Sequence, residues 1–81
     1  MERKEIEEKV NEILVDALGI DKAEIGDEVR FRDDLCCDSL DFVDLLMHME
    51  REFSINIPDD DAYGCTTIKD IYDLAERYIK G

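Results

Sequence analysis

Apolar residues recur at spacings of three and four positions along the first quarter of the chain. This spacing places them on one face of a helix and predicts an amphipathic first helix. Gly19 directly follows the stripe and is suited to end the helix, because glycine adopts a left-handed backbone without strain. The stripe consists of Ile6, Val10, Ile13, Leu14, Ala17 and Leu18.

Residues 20–37 show no sustained period and contain a polar cluster around Gly26. This segment is predicted to be a long ordered loop. Loops of this length are uncommon in compact domains and often functional. Its spaced apolar residues are expected to pin it to the core; they are Ile20, Ile25, Val29, Phe31 and Leu35.

A second helix is predicted from Asp38 to Phe53, with Asp38 as its N-cap and Asp41 completing a box-like pattern. Pro58 stops the helical pattern, and residues 59–64 can form one short helical turn. Thr67, with an aspartate three residues later, indicates a further N-cap. A third amphipathic stripe follows it, made of Ile68, Ile71, Tyr72, Ala75, Tyr78 and Ile79.

These elements predict an all-α fold. No strand pattern or repeat is visible, so we expect a small antiparallel bundle of three main helices plus one short helix, with the long ordered loop between the first two helices. The 81 residues are predicted to form a single domain, 1–81, with a thin core, because a chain this short buries only about 60% of its surface.

The second helix carries two apolar stripes rather than one. The first is expected to pack inward and contains Phe42, Leu45, Leu46, Met49 and Phe53. Leu40, Val43 and Met47 fall on another face, and one face is enough for the core of a bundle. The second stripe is therefore predicted to bind a partner. The alternative is that the core wraps far enough round to cover it.

The chain is strongly acidic, with a net charge of −13. This charge argues against a nucleic-acid binder, which needs a basic face, and against adhesion to an anionic membrane. Eight acidic residues and one arginine lie between positions 38 and 62, so seven of the net negative charges fall there. This concentration is typical of a surface that steers basic partners. The alternative is that the acids only keep the protein soluble.

The sequence also limits the compartment. It contains no apolar run long enough to span a membrane, and Met1–Glu5 lacks the apolar segment of a signal peptide, so the cytoplasm is expected. Cys36, Cys37 and Cys65 are odd in number and two are adjacent, which favours free thiols over a disulfide framework.

Ser39 stands at the start of the second helix, where position by itself would make it a capping residue. However, the segment Asp33 to Asp41, with its Asp38-Ser39-Leu40-Asp41 core, resembles the attachment site of acyl carrier proteins. The resemblance covers nearly the whole chain. It includes the first helix and the loop, then Val43, Met47, 50–53, 57–59 and 66–67.

The resemblance implies a carrier and not an enzyme. A phosphopantetheinyl transferase would attach 4'-phosphopantetheine from coenzyme A to Ser39, and acyl groups would then ride on the arm as thioesters. Acyl synthases, transferases and dehydratases would dock on the second helix of a monomer. The positions that match the family's docking residues are Asp38, Leu40, Asp41, Val43, Asp44, Met47 and Glu50. Phe42, Leu46 and Ile57 would line an acyl pocket.

The chain departs from the family pattern before Asp38, and other functions are considered beside that of an acyl carrier. Cys36 and Cys37 replace a glycine and a small residue. A carrier for a polyketide, peptidyl or aminoacyl pathway remains an alternative, as does a helical protein-interaction module without an arm. A zinc site is disfavoured by the adjacent cysteines, a calcium loop by the missing glycine and glutamate, and a paired-carboxylate enzyme by the absence of a distinctive spacing. The simplest role for all three cysteines is that of small apolar fillers.

Overall fold

The computed structural model describes residues 2–80 and confirms the all-α prediction. Met1 and Gly81, the two ends of the predicted domain, lie outside the described residues. Between residues 2 and 80 there is no strand, only an isolated bridge between Arg30 and Thr67. The helices are α1 (Arg3–Leu18), α2 (Ser39–Phe53), α3 (Asp59–Ala62) and α4 (Ile68–Lys80), and a 3₁₀ turn spans Lys22–Glu24.

Helix α1 ends where its sequence predicts. Gly19 has a φ of 67°, and its N–H donates to the Val15 carbonyl at 3.1 Å. The Ile20 N–H then reaches back to the Leu14 carbonyl, so carbonyls that the helix leaves free are satisfied. Ile6 and Val10, on the apolar stripe of α1, are completely buried.

The loop between α1 and α2 is tied to the start of α4. The Phe31 N–H donates to the Thr66 carbonyl and the Ile68 N–H donates to the Val29 carbonyl, each at 3.0 Å. Ile20 and Phe31 are buried, while Ile25, Val29 and Leu35 pack partly buried against the core, as expected for tethers. The 3₁₀ turn of this loop, Lys22–Glu24, was not predicted.

Helices α2 and α4 supply the rest of the core. The inward stripe of α2 buries Leu45, Leu46 and Met49, with Phe42 and Phe53 partly buried beside them. The apolar face of α4 also buries Leu74, a position that the predicted stripe omitted. Arg3 on α1 pairs with two carboxylates of α4, on Asp73 at 2.7 Å and Glu76 at 3.4 Å.

The α2–α3 connection is short and anchored at both ends. Ser54 ends α2 with a left-handed backbone, and Pro58 stands as the N-cap of α3. The Tyr78 hydroxyl on α4 donates to Asp61 on α3, which holds the short helix against the bundle. None of the helices described between residues 2 and 80 combines the length and the apolar character that crossing a membrane requires.

Candidate functional site

Ser39 is the first residue of α2, and its hydroxyl is not the cap of that helix. Asp38 caps α2 instead: its carboxylate accepts the Asp41 N–H at 2.9 Å, and the Asp41 carboxylate accepts the Asp38 N–H at 3.3 Å. The Ser39 side chain is exposed and makes no hydrogen bond within the described part of the chain. The capping role that position suggested for Ser39 is therefore filled by its neighbour, and the hydroxyl is accessible to a reagent.

A cleft of about 680 Å³ opens beside Ser39. One wall is the start of α2, a second is the loop around Phe31, and a third is the segment that joins α3 to α4. Phe31 and Phe42 form part of its apolar surface and meet edge to face, with ring centroids 5.6 Å apart. The lining residues are Arg30, Phe31, Arg32, Asp33, Cys37, Asp38, Ser39, Phe42, Ala62, Tyr63, Cys65, Thr66 and Thr67.

Only one of the three pocket residues that the sequence predicted lines this cleft. Phe42 lines it, whereas Leu46 and Ile57 are each 5% exposed and lie in the bundle core away from its lining. An acyl chain that contacts only the lining of this cleft would not touch them. Their part in holding cargo stays a prediction.

Most of the polar residues that line the cleft were not predicted from the sequence. Arg30, Arg32, Tyr63, Thr66 and Thr67 line it, yet they come from segments some 30 residues apart. The sequence signals for these segments were the predicted tethers of the loop, the predicted N-cap at Thr67 and the resemblance at 66–67, and none of them indicated a cleft. Which side chains those tethers would bring beside Ser39 depends on contacts that have no local period.

The second apolar stripe of α2 is exposed. Leu40 is 79% exposed, Met47 54% and Val43 44%, so the core does not wrap round to cover them. Asp44 lies exposed on the same helix, 3.8 Å from His48 one turn later. The stripe therefore forms an apolar patch beside acidic side chains, close in sequence to Ser39.

Glu50, another predicted docking residue, has a structural contact. Its carboxylate accepts the Ile57 N–H at 3.0 Å, and its own side chain is half-buried. This bond holds the α2–α3 connection against α2. Docking through Glu50 stays a prediction, but replacing Glu50 would also release this connection.

The three cysteines are free thiols, as expected, but differ in their surroundings. Cys37 is buried and Cys65 is half-buried against the core, so the interpretation as apolar fillers suits both. Burial raises the pKa of the Cys37 thiol, and burial together with Asp70 raises the pKa of Cys65 to about 11. A raised pKa disfavours the thiolate, which is the reactive form of a cysteine. Cys36 is exposed, so the interpretation as a filler is wrong for it.

Metal binding finds no arrangement to support it in the described part of the chain. Between residues 2 and 80, no three His, Cys, Asp or Glu side chains come together in a way that could hold a metal ion.

Comparison with known proteins finds similarity over most of the chain. The family model described as "Phosphopantetheine attachment site" matches residues 8–75. An acyl carrier protein of Rubrobacter xylanophilus is 45% identical over 78 residues, which are 96% of each chain. One of Solidesulfovibrio magneticus is 44% identical over 89% of this chain and 92% of its own. One of Porphyromonas gingivalis is 42% identical over 94% and 97%, respectively.

Proposed function

Since the chain belongs to the acyl carrier proteins, which bear acyl groups on a phosphopantetheine arm, we propose that Ser39 is the residue that carries its arm. The single observation that supports this best is the capping arrangement at the start of α2. Asp38 takes the capping role, and the Ser39 hydroxyl is left exposed beside a cleft. The protein is a carrier and not an enzyme.

The residues around Ser39 fit the prosthetic group. The phosphate would lie at the start of a 15-residue helix, whose positive end and free N–H groups favour an anion. On attachment, the Ser39 oxygen would bond to phosphorus of coenzyme A, adenosine bisphosphate would leave, and the hydroxyl proton would pass to a base of the transferase. When bound, the arm supplies a thiol that holds the cargo as a thioester.

A carrier of this family works with biosynthetic enzymes and with the transferase that modifies it. We assign the docking of phosphopantetheinyl transferase, acyl synthases, acyl transferases and dehydratases to the exposed patch of Leu40, Val43 and Met47. An apolar patch with polar surroundings is typical of a docking site. Asp38, Asp41 and Asp44 would steer basic partners towards it, and Glu50 would add to the same field.

The cargo is proposed to be a fatty acyl chain or a related acyl group. Support comes from the apolar surface that Phe31 and Phe42 give to the cleft. A polyketide, peptidyl or aminoacyl carrier is the alternative for the pathway. We further propose that the chain acts as a single monomeric domain in the cytoplasm, where its free thiols suit a reducing compartment.

The test is the intact mass of the apo protein before and after incubation with coenzyme A and a phosphopantetheinyl transferase of broad specificity. We expect a gain of one phosphopantetheine, on the peptide that contains Ser39. Ser39→Ala should abolish the gain and leave the helical content unchanged, because the Ser39 side chain makes no contact that the fold requires.

Ser54 is a matched control within the same chain. It is the only other serine, and it is exposed at the opposite end of α2. A gain on the Ser54 peptide, or no gain in a folded and unmodified sample, would disprove the assignment of Ser39. A loss of helical content in Ser39→Ala would show instead that the serine serves the fold.

A further inference from the structure

Two arginines, Arg30 and Arg32, line the cleft beside Ser39, and they differ in their pairing with carboxylates. The Arg30 guanidinium pairs with Asp33 at 3.3 Å, and the Arg30 N–H donates to the Asp34 carboxylate at 2.8 Å. Both carboxylates that follow Arg32 in sequence are thus engaged by Arg30. Within residues 2–80, no carboxylate lies at salt-bridge distance from Arg32, although acidic residues outnumber basic ones 23 to 10.

Negative charge is in excess around Ser39. Asp38 precedes it, Asp41 follows within the same helical turn, and both carboxylates are exposed. Attaching the arm adds a phosphodiester anion at this point, which like charges nearby disfavour. A cation that offsets this repulsion must come from another segment, because no basic residue occurs between positions 33 and 47.

We propose that Arg32 binds the phosphodiester of the arm on Ser39 and so positions the arm across the cleft. This inference rests on the proposed function of Ser39. A guanidinium suits the role because its planar fork donates two parallel hydrogen bonds to phosphate oxygens. Arg32 lines the same cleft as Ser39, and no carboxylate of the described chain competes for it. Arg32 is thus a positioning residue for the arm.

A second anion could reach Arg32 by the same chemistry. An acyl group with a carboxylate at its far end would bring an oxyanion into the cleft on the arm itself. The phosphodiester is favoured because it is bonded directly to Ser39, which lines the cleft with Arg32, and because it is present whatever the cargo.

The experiment compares melting temperatures of the apo chain, the chain with the bare arm, and chains whose arm bears butyryl or succinyl. Loading is first verified by mass on the Ser39 peptide. We expect the arm to raise the melting temperature by about 3 °C more in the unaltered protein than in Arg32→Gln, the size of one exposed ion pair in a small domain. The difference should appear with every cargo and shrink in 1 M salt.

Two further variants separate binding of the phosphate from a general effect of charge. Arg51→Gln removes the same group from an exposed position on α2 outside the cleft. It should change the melting temperatures of the apo and loaded forms by the same amount. Arg32→Lys keeps the charge without the fork and should restore part of the difference. The phosphorus resonance of the arm should shift in Arg32→Gln and not in Arg51→Gln.

The opposing outcomes are distinct. If Arg32→Gln and Arg51→Gln behave alike in all forms, with the same phosphorus resonance, Arg32 does not bind the arm. Arg32→Gln could instead reduce the rise in melting temperature only when the arm bears succinyl, and not with the bare arm or butyryl. The anion is then the cargo carboxylate, and the phosphodiester assignment is wrong. A chain that takes no arm at Ser39 overturns the proposed function, and this inference with it.

Discussion

At the scale of single residues, the segment before Ser39 contains a strained position. Cys36 has a φ of 55°, in the left-handed region that side chains with a β-carbon disfavour. It is exposed, so burial does not compensate for this strain. The attachment-site pattern that this segment resembles has glycine at this position, so cysteine here costs conformational free energy.

We therefore expect Cys36→Gly to stabilise the apo protein by about 0.5–1 kcal/mol, since relief of the left-handed strain outweighs the extra freedom of glycine in the unfolded chain. Urea unfolding measures this change. Cys36→Ala is the matched control: it removes the thiol but keeps the β-carbon, and should give no gain. An equal gain in both variants would assign the effect to the thiol.

At the scale of elements, side-chain caps determine where α2 and α4 begin. The cap of α4 is a reciprocal pair in which the Thr67 hydroxyl accepts the Asp70 N–H at 3.2 Å and the Asp70 carboxylate accepts the Thr67 N–H at 3.1 Å. The Asp70 carboxylate also accepts the Thr66 N–H at 2.9 Å. Since Thr66 and Thr67 line the cleft, this cap fixes one of its walls.

The same bonds make the stability of the protein depend on pH. Hydrogen bonds from the Thr66 backbone, more than those from Thr67, lower the pKa of Asp70 despite partial burial. A carboxylate with a lowered pKa stabilises the fold above its unfolded pKa, and this contribution is lost as the pH falls through its folded pKa. The window for Asp70 thus lies below about pH 4.

Asp70→Asn should reduce stability at pH 7 by about 1 kcal/mol, because an amide accepts these N–H groups less strongly than a carboxylate does. The difference from the unaltered protein should narrow as the pH falls below about 4. Thermal unfolding across this range measures it. Glu12→Gln, which removes one charge from an exposed position on α1, should show a smaller effect. A stability difference that stays constant at all pH values would contradict the role of the Asp70 carboxylate in capping α4.

At the scale of the whole molecule, some acidic side chains bond to the backbone and stabilise the fold, and others do not. Asp38 and Asp41 cap α2 and Glu50 holds the Ile57 N–H, so charge reversal at these positions would disturb the fold as well as docking. Asp44 has no such bond within the described chain, and its carboxylate lies 3.8 Å from the His48 side chain. It is the position at which the steering hypothesis can be tested cleanly.

Asp44→Lys should slow transfer of the arm to Ser39 by about threefold to tenfold at low salt, because a basic partner is steered less well. The effect should fade as ionic strength rises. Transfer rates followed by mass give the measurement, and unfolding should be little changed. Glu12→Lys makes the same charge change on α1. Equal slowing by the two variants would point to net charge rather than a docking face.

The sequence by itself determined the helices, the exposed stripe of α2 and the position of Ser39. Helical hydrogen bonds join residues four apart, so apolar period, caps such as Asp38 and Thr67, and breaks such as Gly19 and Pro58 are local signals. The short motif around Ser39 lies within one such segment, which is why the candidate attachment site could be predicted without a structure.

The tertiary structure decided what surrounds Ser39. The hydrogen bonds of Phe31 to Thr66 and of Ile68 to Val29 join segments some 35 residues apart and so build the cleft. The same packing gave Glu50 its bond to the α2–α3 connection and left Arg32 without a carboxylate partner in the described chain. Such pairings depend on how helices and loop pack in three dimensions, and packing across distant segments leaves no period in the sequence.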